Sequence, residues 1–173
     1  VDNVPPTIDA INVPFDPVSI SDQPVGVSAS FSDPAGVNAK NLSWQVLDPT
    51  NAVSARGTGT KFEFIPTISG SHEVVLSLAD DDGGQIVIRR VLTVTAVALQ
   101  GNDLVVGGTT GEDAIEFSAG EMPGEIEVIV NGESLGIYQP TGRLVAYGQG
   151  GNDEIVVAAS NSLPASLYGN AGN

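Results

Sequence analysis

Three short stretches in the second half of the chain, Gly101-Asn102-Asp103-Leu104-Val105, Gly111-Glu112-Asp113-Ala114-Ile115 and Gly151-Asn152-Asp153-Glu154-Ile155, are variants of one phrase. The phrase is glycine, any residue, aspartate, any residue, aliphatic. Glycine permits a tight turn, the aspartate places a carboxylate on that turn, and the aliphatic residue points into a core. A chain that repeats such a phrase every nine residues winds into a parallel β-solenoid, so the second half is expected to be all-β and built from short strands and stacked turns.

The match extends over more of the nonapeptide than its centre. Gly108, Gly111, Asp113 and Ile115 take its first, fourth, sixth and eighth places, and Gly148, Gly151, Asp153 and Ile155 do the same. Gly101, Asp103 and Val105 make a partial copy, with Ala98 where the first glycine belongs, and Gly169 and Gly172 begin another. The spacing is irregular: Asp103 and Asp113 are ten residues apart, and forty separate Asp113 from Asp153. Strands are expected within the interruption at 125–130, 136–138 and 143–147, with Asn131-Gly132 as a type I′ hairpin turn.

Composition changes near Ala96 to Leu99, and two domains are expected, 1–97 and 98–173. The first holds seven of the 21 glycines and the second fourteen. In the first, β-prone runs at 7–13, 25–31, 42–47, 61–65, 73–79 and 86–95 alternate with turn formers such as Asp33-Pro34-Ala35-Gly36 and Asp82-Gly83-Gly84. That spacing predicts an immunoglobulin-like β-sandwich with Trp44 buried in mid-strand.

Net charge is −15, and it divides unevenly. The first domain carries five basic and eleven acidic residues, the second one and ten. Such a surface repels nucleic acid and anionic membrane, and no apolar run is long enough for a membrane span. Arg143 is the second domain's single cation, so divalent metal is the expected partner for its carboxylates. There is no cysteine, which removes disulfides, thiolate zinc sites and thiol nucleophiles.

The run from Phe62-Glu63-Phe64-Ile65-Pro66 through Ser69-Gly70-Ser71-His72-Glu73-Val74-Val75-Leu76-Ser77-Leu78-Ala79-Asp80-Asp81-Asp82-Gly83-Gly84 resembles the closing half of a PKD (polycystic-kidney-disease-type) domain. His72 stands where that family has tyrosine, and Trp44-Gln45-Val46-Leu47-Asp48-Pro49 replaces its W-D-F-G-D-G signature. In such a sandwich the chain's entry and two loops meet at one end, bringing Asp2, Asn3, Asp33, Asp80, Asp81 and Asp82 together as a second candidate calcium site.

The glycine-aspartate copies resemble the haemolysin-type (RTX) calcium-binding repeats. The resemblance implies calcium between neighbouring turns at Asp103, Asp113 and Asp153, with Gly101, Gly108, Gly111, Gly148, Gly151, Gly169 and Gly172 as the turn glycines.

Enzymatic chemistry is not expected. His72 is the one histidine and falls in a strand, and no G-x-S-x-G elbow, phosphate loop or dinucleotide fingerprint accompanies it. A start at Val1 and a stop at Gly172-Asn173, where the phrase next requires aspartate, read as a segment of something longer. The whole points to a structural or adhesive module of a large bacterial extracellular or cell-surface protein, rigidified by calcium. Its partners would be neighbouring domains, other copies, or a surface or glycan ligand. The alternative is an accessory, carbohydrate-binding region of a secreted hydrolase.

Overall fold

Alternating apolar residues at 25–29 and 74–78 need a second layer to cover them, and they find it in a pair of facing sheets. The computed structural model describes residues 6–15, 17–19, 23–32, 41–79 and 84–172. All regular elements among them are β-strands. The chain divides into two compact units, one of Val1–Asp16, Pro24–Pro66 and Gly70–Thr93, the other of Pro17–Gln23, Thr67–Ser69 and Val94–Asn173.

The first half contributes β1 (Thr7–Asn12), β2 (Val18–Ser19), β3 (Val25–Ser32), β4 (Asn41–Leu47), β5 (Val53–Thr58), β6 (Lys61–Phe64), β7 (Gly70–Ala79) and β8 (Gln85–Thr95). One sheet has the order β1-β3-β6 and the other β2-β8-β7-β4-β5. The pairs β1–β3, β3–β6, β4–β5 and β4–β7 are antiparallel, and the short β2 runs parallel to the end of β8. This is an immunoglobulin-like β-sandwich.

Trp44 is buried at its centre, as its position in the sequence predicts. Its ring stacks 6.4 Å from that of Phe62 on the opposite sheet, and Phe62 in turn lies 5.8 Å from Phe64. The indole N–H, which could not be buried unpaired, donates to the carbonyl of Gly59 at 2.8 Å. Gly57, directly across β5 from Trp44, is where the Phe62 ring settles; a Cβ there would run into it. Strand β5 is missing from the sequence expectation because the alternating apolar positions of Val53-Ser54-Ala55-Arg56-Gly57-Thr58 include the small Ala55 and Gly57, which give little hydrophobic signal. It is an edge strand, held by its backbone pairing with β4.

The second half contributes β9 (Val97–Gln100), β10 (Asp103–Gly107), β11 (Ala114–Ala119), β12 (Ile126–Val130), β13 (Glu133–Tyr138), β14 (Leu144–Tyr147), β15 (Glu154–Val157) and β16 (Ala165–Tyr168). Their sheets have the orders β16-β14-β10-β9 and β13-β12-β11-β15. Leu104, Val106, Leu144 and Ala146 of the first meet Ile115, Phe117, Ile126 and Val128 of the second in one core. The Asn131-Gly132 turn has the two positive φ values, 53° and 80°, that a type I′ hairpin requires.

The expectation of a nonapeptide solenoid needs correction. β10, β14 and β16 are parallel, as are β11 and β15, but β9, β12 and β13 complete the same sheets with antiparallel pairing. The physical reason is the hairpin β12–β13, whose apolar face (Ile126, Val128) supplies core that a further solenoid turn would otherwise supply.

Leu76, fully buried and paired with Trp44 across β4 and β7, tests the sandwich core. Leu76→Ala is expected to lower the stability of the first unit by about 2–5 kcal/mol, read from urea unfolding followed by Trp44 fluorescence.

Candidate functional site

The repeat phrase acts through register. β10 lies on β14 with Leu104 opposite Leu144 and Val105 opposite Val145, and β11 lies on β15 with Ala114 opposite Glu154. Both offsets are forty residues, so Gly108, Gly111 and Asp113 of one pass fall over Gly148, Gly151 and Asp153 of the next. β14 lies on β16 with Tyr147 opposite Tyr168, which carries Gly169 and Gly172 into the same column. The turns are bonded to one another: Gly108 N–H donates to Tyr147 O at 2.8 Å, Gly148 N–H to Tyr168 O at 2.7 Å and Gly151 N–H to Ala171 O at 2.9 Å.

Two glycines show why the phrase needs them. Gly148 lies against the carboxylate of Asp153, where any Cβ would overlap it. At Gly151, with φ 113°, an added Cβ would collide with the carbonyl of Gly111 in the preceding pass, and at Gly172 it would collide in the same way with that of Gly151. A side chain at either position would push adjacent turns apart. Gly101, at φ 63°, makes the tight turn before Asp103.

The three repeat aspartates meet different fates. Asp103 is occupied by Arg143: one carboxylate oxygen accepts the Arg143 backbone N–H at 2.8 Å, and the other accepts Nε at 3.2 Å and Nη2 at 2.8 Å. These bonds, the backbone one foremost, hold the Asp103 carboxyl below its ordinary pKa.

Asp113 is only 3% exposed, and both of its oxygens are taken. Oδ2 accepts the N–H of Thr109 at 2.6 Å and its hydroxyl at 2.9 Å, while Oδ1 accepts Asn131 Nδ2 at 2.7 Å. Asn131 Oδ1 in turn accepts the N–H of Ala114 at 2.8 Å, which fastens the inserted hairpin to the turn.

Asp153 differs. Its Oδ1 accepts the N–H of Asp113 at 3.0 Å, but Oδ2 is buried with no hydrogen-bond partner in the structure. Gln149 stands where Thr109 stands one pass earlier, has a left-handed backbone at φ 76°, and leaves its own Nε2 buried and unpartnered. Among the described residues, no three His, Cys, Asp or Glu side chains gather as a metal cluster. Asp33, Asp80, Asp81 and Asp82 lie outside the described residues.

One feature escaped sequence reasoning. Tyr147 and Tyr168, distant in the chain, stack with ring centroids 4.9 Å apart and planes 10° from parallel. The repeated pattern tyrosine-glycine-x-x-glycine, at Tyr147 and again at Tyr168, was the available signal. Tyr138 is elsewhere, packed on the core with its hydroxyl donating to Leu135 O at 3.0 Å. His72 is buried on β7, its Nδ1 3.4 Å from the carbonyl of Gly70.

No family model matches the chain, and no curated protein is significantly similar to it. Among solved structures, the fibronectin(III)-like modules of Clostridium thermocellum CbhA are similar at a TM-score of 0.37 and 12% identity, over 79% of this chain and 74% of that one. A likeness at that level carries no argument about this chain; the sandwich rests on its own strand order.

Asp113→Ala should cost about 1–3 kcal/mol for each buried donor left unpaired at Thr109 and Asn131, measured by denaturant unfolding followed by circular dichroism. Asp103 supplies a pH test. Its folded pKa lies below the ordinary 3.8, so its contribution is present above that value and is lost as pH falls through the depressed one. The melting-temperature gap between the native chain and Asp103→Asn is expected to be open at neutral pH and to close in that acidic window.

Proposed function

We propose that this chain is a non-enzymatic structural module of a large bacterial extracellular or cell-surface protein, of adhesive or fibre-forming type. In this reading the first unit is a PKD-like sandwich and the second a degenerate haemolysin-type repeat domain, stiffened by calcium. Its partners are neighbouring domains or further copies of the same protein.

The observation that carries the calcium reading is the buried, unpartnered Oδ2 of Asp153. A carboxylate oxygen removed from water without a donor is costly, and a bound cation removes that cost. The fit is selective. Asp103 and Asp113 have both oxygens satisfied by protein donors, so neither offers calcium a free ligand without breaking what it holds. Calcium takes six to eight oxygens, so Asp153 would act with backbone carbonyls and water rather than with other carboxylates. The net charge of −15 favours the same ion over any anionic partner.

Thermal unfolding with millimolar calcium, with magnesium as the control, tests this. Calcium at about a hundred times its Kd is expected to stabilise the second unit by ~2.7 kcal/mol. Asp153→Ser should abolish that shift, and Asp103→Asn should retain it. A shift that survives Asp153→Ser would place the ion elsewhere, and no shift with the native chain would leave a plain spacer module.

A further inference from the structure

The sheet β16-β14-β10-β9 has a second face, opposite the core, and that face is concave and polar. Its inward residues, Leu104, Val106, Leu144 and Ala146, belong to the core, so the alternation of the strands turns Val105, Val145, Ser166, Tyr147 and Tyr168 the other way. They line a groove of about 240 Å³. Val105 and Val145 form its apolar floor, the stacked Tyr147 and Tyr168 stand at one end, and Asp103, Arg143 and Gln100 stand at the other.

The chemistry of this lining selects a ligand class. The Asp103 carboxylate and the Arg143 guanidinium cancel each other's charge at 2.8 Å, so the groove offers no net charge to an ion. A phosphate or sulfate would have to break that pair, inside a unit whose surface is strongly acidic. A metal ion would find a single carboxylate already held by three N–H donors. A wholly apolar ligand would strand the polar groups.

What remains is a neutral ligand rich in hydroxyls. Gln100 has a carboxamide and Ser166 a hydroxyl, each able both to donate and to accept. The guanidinium has five N–H donors, two of which go to Asp103, and that pairing holds its plane in place for others to bond. Tyr168 is 46% exposed and presents aromatic surface against which the C–H face of a sugar ring can pack. The groove is smaller than the roughly 300–1,000 Å³ of sites for larger ligands, a size suited to one ring.

We propose that the groove formed by Tyr147, Tyr168, Arg143, Asp103, Gln100 and Ser166 binds one neutral pyranose unit, free or at the end of a glycan. The site is independent of the calcium reading, because Asp153 and its turn take no part in it.

The test is a titration of the intact, ¹⁵N-labelled chain with a panel of methyl pyranosides, followed by amide chemical shifts. One or more sugars should move the amides of Gln100, Arg143, Ser166 and Tyr168 together, with a Kd in the millimolar range expected of a single shallow subsite. Tyr168→Ala and, separately, Gln100→Ala should each weaken binding about tenfold or more, equivalent to about 1.4 kcal/mol. Because Tyr168→Ala also removes a ring from the edge strand, Gln100→Ala, on a different strand, carries the test if the first variant melts early.

Glycans bearing the preferred unit at their ends separate the two sources: tighter binding than the methyl sugar points to a glycan, and equal binding to the free sugar. Either supports the site. The proposal is overturned if no sugar moves these amides at tens of millimolar, if sodium sulfate moves them equally, or if binding is unchanged in a Gln100→Ala chain that keeps its native melting temperature.

Discussion

The second unit depends on a buried carboxylate. Asp113 is almost wholly withdrawn from water, and the loss of hydration is offset because Thr109 and Asn131 between them supply its carboxylate with three donors. Its own backbone N–H reaches Asp153 of the next pass, and its carbonyl accepts the N–H of Glu154 at 2.8 Å. One residue therefore joins its own turn, the inserted hairpin and the adjacent strand. The parallel ladder β11–β15 and the antiparallel ladder β11–β12 both start from this node.

Equivalent positions in a repeat need not do equivalent work. The same phrase places aspartates at 103, 113 and 153, yet one is neutralised by an arginine, one is saturated by neutral donors, and one keeps an open oxygen. The difference arises from single neighbours. Thr109 brings a hydroxyl to Asp113, whereas Gln149 at the matching place brings a longer side chain and a left-handed backbone, and the Asp153 oxygen goes unanswered. Arg143 stands at the position forty residues after Asp103, where an aspartate in the pattern of Asp113 and Asp153 would stack like charges, and it makes an ion pair instead. One motif thus does different work in a single domain, residue by residue.

The sandwich and the repeat unit solve the burial of apolar strand faces in different ways. In the first, rings from opposite sheets interlock: Trp44, Phe62 and Phe64 stack in sequence, and Gly57 makes the space for them. In the second, Phe117 is the one fully buried aromatic in a core of mostly aliphatic side chains, with Tyr138 packed against it, and turn-on-turn glycine approaches set the strand spacing. The fourteen glycines of the second half, against seven in the longer first, accord with that choice.

Much was legible in the chain itself. Turn formers between β-prone runs gave the order of most strands of the sandwich, Trp44 declared itself a core residue, and Asn131-Gly132 declared its hairpin, because each of these rests on local backbone and side-chain preferences. The glycines of the phrase were likewise readable as turn residues. The edge strand β5 was not, since its inward positions, Ala55 and Gly57, are too small to give a hydrophobic period that stands out. Nor was the register of forty and then twenty-one residues that lays Asp113 over Asp153 and Tyr147 over Tyr168. That register is settled by which apolar faces share a core and how closely glycine turns can approach. Only the folded chain decides those contacts, and with them which aspartate is left with an open oxygen and which tyrosines share a groove.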